Sequence, residues 1–206
     1  MLDQLTLSSL RVQGTLEGSP RDGVLHDRTE APTPTPLEVD LELHVDLESA
    51  GRTDDIAHTV DLALVARVVE AIATDGHWSL LETLGLAIVR TLLLPPAPGE
   101  ARARIDALTL RIRRSAWMRS HATPGIVLHR ARHWCTTERR VLGPGVAADI
   151  IAETRHTELF RVRLTPGARF TLPPGAVAIQ LTDTLLDGRT VTAPGLPGAV
   201  LVVVRR

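Results

Sequence analysis

Residues Leu37 to Val45, reading Leu-Glu-Val-Asp-Leu-Glu-Leu-His-Val, alternate strictly between apolar and polar side chains. Successive side chains of a strand point to opposite faces, so Leu37, Val39, Leu41, Leu43 and Val45 share one face. Glu38, Asp40, Glu42 and His44 share the other. Such a strand belongs in an antiparallel sheet with one face packed and one face wet. The wet face is expected to meet solvent or the lumen of a ring.

The flanking segments say what covers the packed face. Leu5 to Gly14 reads as a first strand, with Leu5, Leu7, Leu10 and Val12 as its apolar positions. A polar stretch rich in X-Pro pairs, from Glu17 to Pro36, reads as a loop. Asp61 to Thr74 has helical spacing, with Leu64, Val65, Val68 and Ile72 on one side. Asp75-Gly76 interrupts it. Ser79 stands three residues before Glu82, the spacing of a capping box, and opens a second helix that stops at Pro95-Pro96. Ala107 to Arg113 alternates again as a third strand, and Ile126 to Ala131 makes a fourth.

The order is β-β-α-α-β-β. It predicts an α+β domain in which an antiparallel sheet carries both helices on one face. From about His133 the chain changes character, with short apolar runs separated by Gly-Pro-Gly, Thr-Pro-Gly, Pro-Pro-Gly and Asp-Gly turns. That rhythm predicts a small all-β unit without helices. The expected division is residues 1–132 and 133–206.

Composition narrows the partners. The net charge is −1 over 206 residues, so no global field draws the chain to nucleic acid or to an anionic membrane. No apolar run reaches the ~18 residues that span a bilayer, and the first residues do not read as a secretory signal. A cytoplasmic location is the expectation. All 23 basic residues are Arg, and the chain contains no Tyr.

The β-β-α-α-β-β order resembles that of dihydroneopterin aldolase, a tunnelling-fold family. Two stretches carry the likeness: Ala-Gly-Arg-Thr-Asp-Asp-Ile-Ala-His-Thr-Val from Ala50 to Val60, and Ser-Leu-Leu-Glu-Thr-Leu from Ser79 to Leu84. The resemblance implies a homo-tetrameric or homo-octameric ring with pterin pockets between neighbouring subunits and no cofactor. The family's pterin-gripping Glu falls on Glu82, preceded by Leu81. A carboxylate suits that role because it can accept two parallel hydrogen bonds from an amino group and a ring N–H. Thr59 and Val60 match the pair that lines the neighbouring wall.

The chain departs from the family where a proton must move. Leu62 replaces the Tyr that follows Thr-Val, and Arg114 replaces a Lys late in the third strand. An arginine can bind an anion or polarise a water but cannot accept a proton near neutral pH. For the family's catalytic Glu in the first loop, Asp27 is the first candidate and Glu30 the second, with His26 beside them.

Three readings stay open: a pterin enzyme of the aldolase or epimerase type with diverged catalytic groups, a non-catalytic binder of a pterin or purine-like ring, and a structural ring-assembly protein. His129, His133, Cys135 and Glu138 lie close in sequence, yet surface or interface roles suit them better than a metal site. The C-terminal segment weakly resembles a cupin core, and it lacks that fold's metal-binding His-x-His…Glu motif.

Overall fold

The structure is a computed structural model, and it describes residues 3–16, 33–100, 102–114 and 123–206. Four antiparallel strands form the first sheet in the order β1 (Asp3–Leu16), β2 (Thr33–Val45), β3 (Ala107–Arg114), β4 (Gly125–Ala131). The alternation of β2 holds along its length. Leu37, Val39, Leu41, Leu43 and Val45 are all buried. On the other face, Arg111 of β3 pairs with Glu42, and Arg113 reaches Glu38 at 2.6 Å and Asp40 at 2.7 Å.

β1 keeps its leucines on the packed face by means of a bulge. Leu7 stands opposite Leu41 but Leu10 opposite Val39, so β1 spends three residues where β2 spends two. Ser9 absorbs the extra residue at φ 57°, and its backbone N–H donates to Asp40 Oδ1 at 2.8 Å.

Thr33 to Pro36, expected in the loop, instead extends β2 and pairs with Gln13 to Leu16. The last described pair between β2 and β3 is Leu37 with Arg114, so the described ladder leaves the prolines outside it, and such positions tolerate a residue without an N–H.

Two helices cover the packed face, α2 (Leu62–Asp75) and α3 (Leu81–Leu93). A six-residue helix, α1 (Glu48–Thr53), and a 3₁₀ turn, Ile56–His58, precede them; neither carries a periodic apolar signal. The hairpin turn between α2 and α3 is pinned by Trp78. Its indole N–H donates to Ile72 O at 2.8 Å and its backbone N–H to Thr15 O at 3.0 Å. Gly76 has to be small here, since a Cβ would lie 2.4 Å from Trp78 Nε1.

After a 3₁₀ turn, Arg132–Trp134, the remaining chain is all strand. β5 (Glu138–Gly143), β6 (Val146–Glu153), β7 (Thr157–Leu164), β12 (Gly198–Arg205) and β9 (Val177–Gln180) form one antiparallel sheet in that spatial order. β10 (Leu185–Asp187), β11 (Thr190–Thr192) and β8 (Arg169–Thr171) form a smaller one.

The five-stranded sheet packs on the helices. Ile151, Ala152, Leu159, Leu201 and Val203 join the core that contains Leu16, Trp78 and Ile88. Val162, Val200 and Val202, from its other face, pack with Leu172, Val191 and Ala193 in a second cluster. The result is four layers: sheet, helix pair, sheet, small sheet. β12 is buried on both sides, which explains its unbroken Ala-Val-Leu-Val-Val-Val run. Among the described residues, no helix is long and apolar enough to cross a membrane.

Candidate functional site

Glu82 sits in the first turn of α3 and is exposed. The expected capping box does not form. The N-cap is Leu80, which makes no side-chain cap hydrogen bond, so Ser79 lies one residue too early. Glu82 is therefore held beside the open N–H groups of a helix start, where a carboxylate is favoured.

Packing fixes where that helix end points. A Cβ on Gly85 would lie 2.7 Å from Ile126 Cδ1 and 2.9 Å from Leu128 Cδ1. Only glycine lets α3 approach β4 this closely. Its start then hangs over the end of β3, where Arg114 is 9% exposed. Burial pulls the guanidinium down from its ordinary pKa, and the negative charge of Glu82 acts in the opposite direction. The pair are electrostatic neighbours, and Arg114 stays cationic at neutral pH.

Thr59, Val60 and Leu62 lie elsewhere. Asp61 caps α2, its Oδ1 accepting from Ala63 N at 2.8 Å and Leu64 N at 3.1 Å. Thr59 O accepts from Ala103 N at 2.7 Å, Val60 is buried, and Leu62 packs partly into the core. Val60 and Val65 line the same cavity as Thr91 and Leu92, so the start of α2 faces the end of α3. Ten residues of helix separate Glu82 from Leu92, about 15 Å at 1.5 Å per residue. The structure thus brings Leu81, Glu82 and Arg114 together at one end of the helix pair and places Thr59, Val60 and Leu62 at the other. Asp27 and Glu30 lie outside the described residues. The segment that carries them joins Leu16 to Thr33, which pair at the same end of the sheet as Arg114.

The sequence profile of dihydroneopterin aldolase matches residues 23–129. The chain belongs to the dihydroneopterin aldolase family. It is 36% identical over 107 residues to a dihydroneopterin aldolase of Methylorubrum extorquens, covering 50% of this chain and 77% of that one. Its fold is that of E. coli dihydroneopterin aldolase solved with neopterin: TM-score 0.51 and 20% identity over 63% of this chain and 100% of that one. A Vibrio cholerae protein assigned to dihydroneopterin aldolase gives TM-score 0.51 and 21% identity over 64% and 98%. This is a family of pterin metabolism, and its tunnelling fold accounts for the first sheet and both long helices.

Around that dihydroneopterin aldolase core, the His and Cys residues considered for a metal make separate local contacts. His129 Nδ1 is 2.9 Å from Thr109 Oγ1, and Glu138 pairs with Arg140 at 2.7 Å. The Cys135 thiol points at Arg90 O at 3.5 Å, and burial pushes its pKa up. Among the described residues, no three His, Cys, Asp or Glu side chains are grouped to hold a metal ion.

The sequence reading missed one cluster. Asp149 of β6 stands opposite Arg161 of β7 and also lies 3.2 Å from both Arg139 and Arg163. Arg161 continues to Pro95 O at 2.7 Å and to Glu100 at 3.7 Å, and Glu100 bonds Arg102 at 2.5 Å. The signal was available: Asp149 and Arg161 each interrupt a run of apolar residues in a strand, and a buried charge needs a partner.

Proposed function

We propose that this chain binds a pterin at a site built from two copies of itself and cleaves 7,8-dihydroneopterin slowly. The observation that carries the reading is the separation just described. Glu82 with Arg114, and Thr59 with Val60 and Leu62, lie at opposite ends of the helix pair, too far apart to hold one bicyclic ring. A second copy supplies the missing wall if its Thr59 end meets the Glu82 end of the first. Among the described residues, β1 and β4 are the outer strands of their sheet, which supports such a ring, because an outer strand is a template for pairing with another chain. The E. coli relative was solved with neopterin, which fits a pterin as the ligand.

In this reading Glu82 accepts two hydrogen bonds from the pterin's donor edge and so fixes its orientation. Leu81 and Leu62 supply apolar contact, and Thr59 and Val60 form the facing wall. Retro-aldol cleavage needs a group to take the side-chain hydroxyl proton and another to protonate the carbon left behind. Arg114 can orient a hydroxyl or a water but cannot take that proton, and Leu62 offers no hydroxyl. Asp27 and Glu30 are left as the carboxylates for that work. Losing one acid–base group costs about 100- to 10,000-fold in rate, so turnover is slow.

Residues 133–206 form, in this proposal, a metal-free cupin-like cap over the outer face of the helices, and the protein works in the cytoplasm.

The test is a fluorescence titration of the full chain with 7,8-dihydroneopterin, with Glu82→Gln alongside and product analysis of the same mixtures. Saturable binding that weakens at least tenfold in Glu82→Gln, with slow release of the hydroxymethyl-dihydropterin, is expected. Binding without product would make the protein a pterin binder and not an aldolase. No binding would sink the site and leave a ring scaffold.

A further inference from the structure

The five-stranded sheet does not seal against the start of α2. It leaves a cavity of about 270 Å3 between the two units, at the end of the helix pair away from Glu82. Val60, Leu64, Val68, Leu92, Ile105 and Leu181 supply its apolar wall.

The buried charges at its edge are engaged with one another. Arg161 gives Nε and one terminal nitrogen to Asp149 and the other to Pro95 O. Arg102 donates to Glu100, to Ala103 O and to Leu94 O. Glu100 also accepts from Ala97 N at 2.7 Å. An anionic ligand would find these arginines already bonded. Two carboxylates of the lining form no ion pair among the described residues: Asp61, which is occupied in capping α2, and Asp183, which is exposed.

The geometry points to a second small-molecule site in this cavity, specific for a compact apolar body carrying one cationic amine. The aliphatic wall removes the body from water, and the ammonium stays at the rim against the Asp183 carboxylate, where a charge-assisted bond forms with little desolvation. The volume is below the ~300–1,000 Å3 usual for drug-sized ligands, so a single-ring molecule fits and a large one does not. The site uses none of Leu81, Glu82 or Arg114, and of the residues proposed to face the pterin it shares Val60.

Isothermal titration of the full chain with 2-phenylethylamine tests it, with 2-phenylethanol and phenylacetate as the neutral and anionic analogues. Saturable binding of one amine per chain is expected, at least tenfold weaker for the alcohol and undetectable for the acid. Asp183→Asn, an exposed change, should weaken the amine about tenfold and leave the Glu82-dependent pterin titration unchanged. Leu64→Phe, which fills the cavity, should remove amine binding. Absence of saturable amine binding, equal binding of the alcohol, or indifference to Asp183→Asn would each overturn the proposal.

Discussion

Asp149 and Arg161 stand directly opposite each other on β6 and β7, their side chains 2% and 4% exposed, with Arg161 Nη2 2.8 Å from Asp149 Oδ2. The pair lies where the five-stranded sheet meets the segment after α3, since Arg161 also donates to Pro95 O. It therefore ties the five-stranded sheet to the segment after α3 from inside.

Breaking that pair is costly because the survivor stays buried. Asp149→Ala leaves the buried Arg161 with only Pro95 O and the more distant Glu100, and should lower unfolding stability by about 3–5 kcal/mol. Arg140→Ala removes exposed pairs with Glu138 and Glu153 and should leave the midpoint nearly unchanged. Urea midpoints of the two variants, compared at equal slope, check the contrast.

The start of α3 gives a second prediction. Ser79→Ala should leave stability unchanged, because Leu80 occupies the cap position and no side chain caps this helix. Asp61→Ala should cost about 1 kcal/mol, because Asp61 accepts two backbone N–H groups at the start of α2. Thermal unfolding of both variants separates the two helix starts.

Gly85→Ala would raise helix propensity by about 1 kcal/mol in isolation. Its Cβ meets Ile126 and Leu128 within 3 Å, and such overpacking costs about 1–3 kcal/mol. The net should be destabilising, and the displaced helix start should weaken pterin binding together with stability. An unchanged titration would argue that α3 does not position Glu82.

Cys135 should be sluggish toward iodoacetamide at pH 7. Burial raises its thiol pKa, so the reactive thiolate is scarcer than in a free cysteine. Because the folded pKa is the higher one, the fold gains from this group below the unfolded thiol value and loses that gain as pH rises through the folded value. Alkylation rates measured across pH 7 to 10 should show a midpoint displaced upward relative to the urea-unfolded chain.

The sheet and the two long helices were legible because their patterns are periodic and survive packing. Leu37 to Val45 alternates, and Val65, Val68 and Ile72 recur at helical spacing. Four things were hidden by tertiary context. Pro34 and Pro36 read as loop, yet they lie in β2, opposite Thr15 and Gln13 of β1. Ser79 has the right spacing for a cap, but the turn pinned by Trp78 delays the helix to Leu81. The sequence placed Glu82 and Thr59 in one pocket through family resemblance alone; the length of α3 shows that they belong to opposite ends of a single chain. The Asp149 cluster went unread because its members are dispersed over Glu100 to Arg163 and meet only when β6 and β7 dock on the helices.

The position of β12 in the core has a consequence for how the chain folds. Leu201 and Val203 pack in the cluster that includes Leu16 and Trp78, and Arg205 donates to Asp75 O at 2.8 Å. These contacts join stretches far apart in sequence, the kind that form late and slowly. As the chain leaves the ribosome, the outer faces of α2 and α3 stay uncovered until β12 has emerged. During that interval the helix pair is an open apolar surface, and its protection depends on the last strand arriving before another chain does.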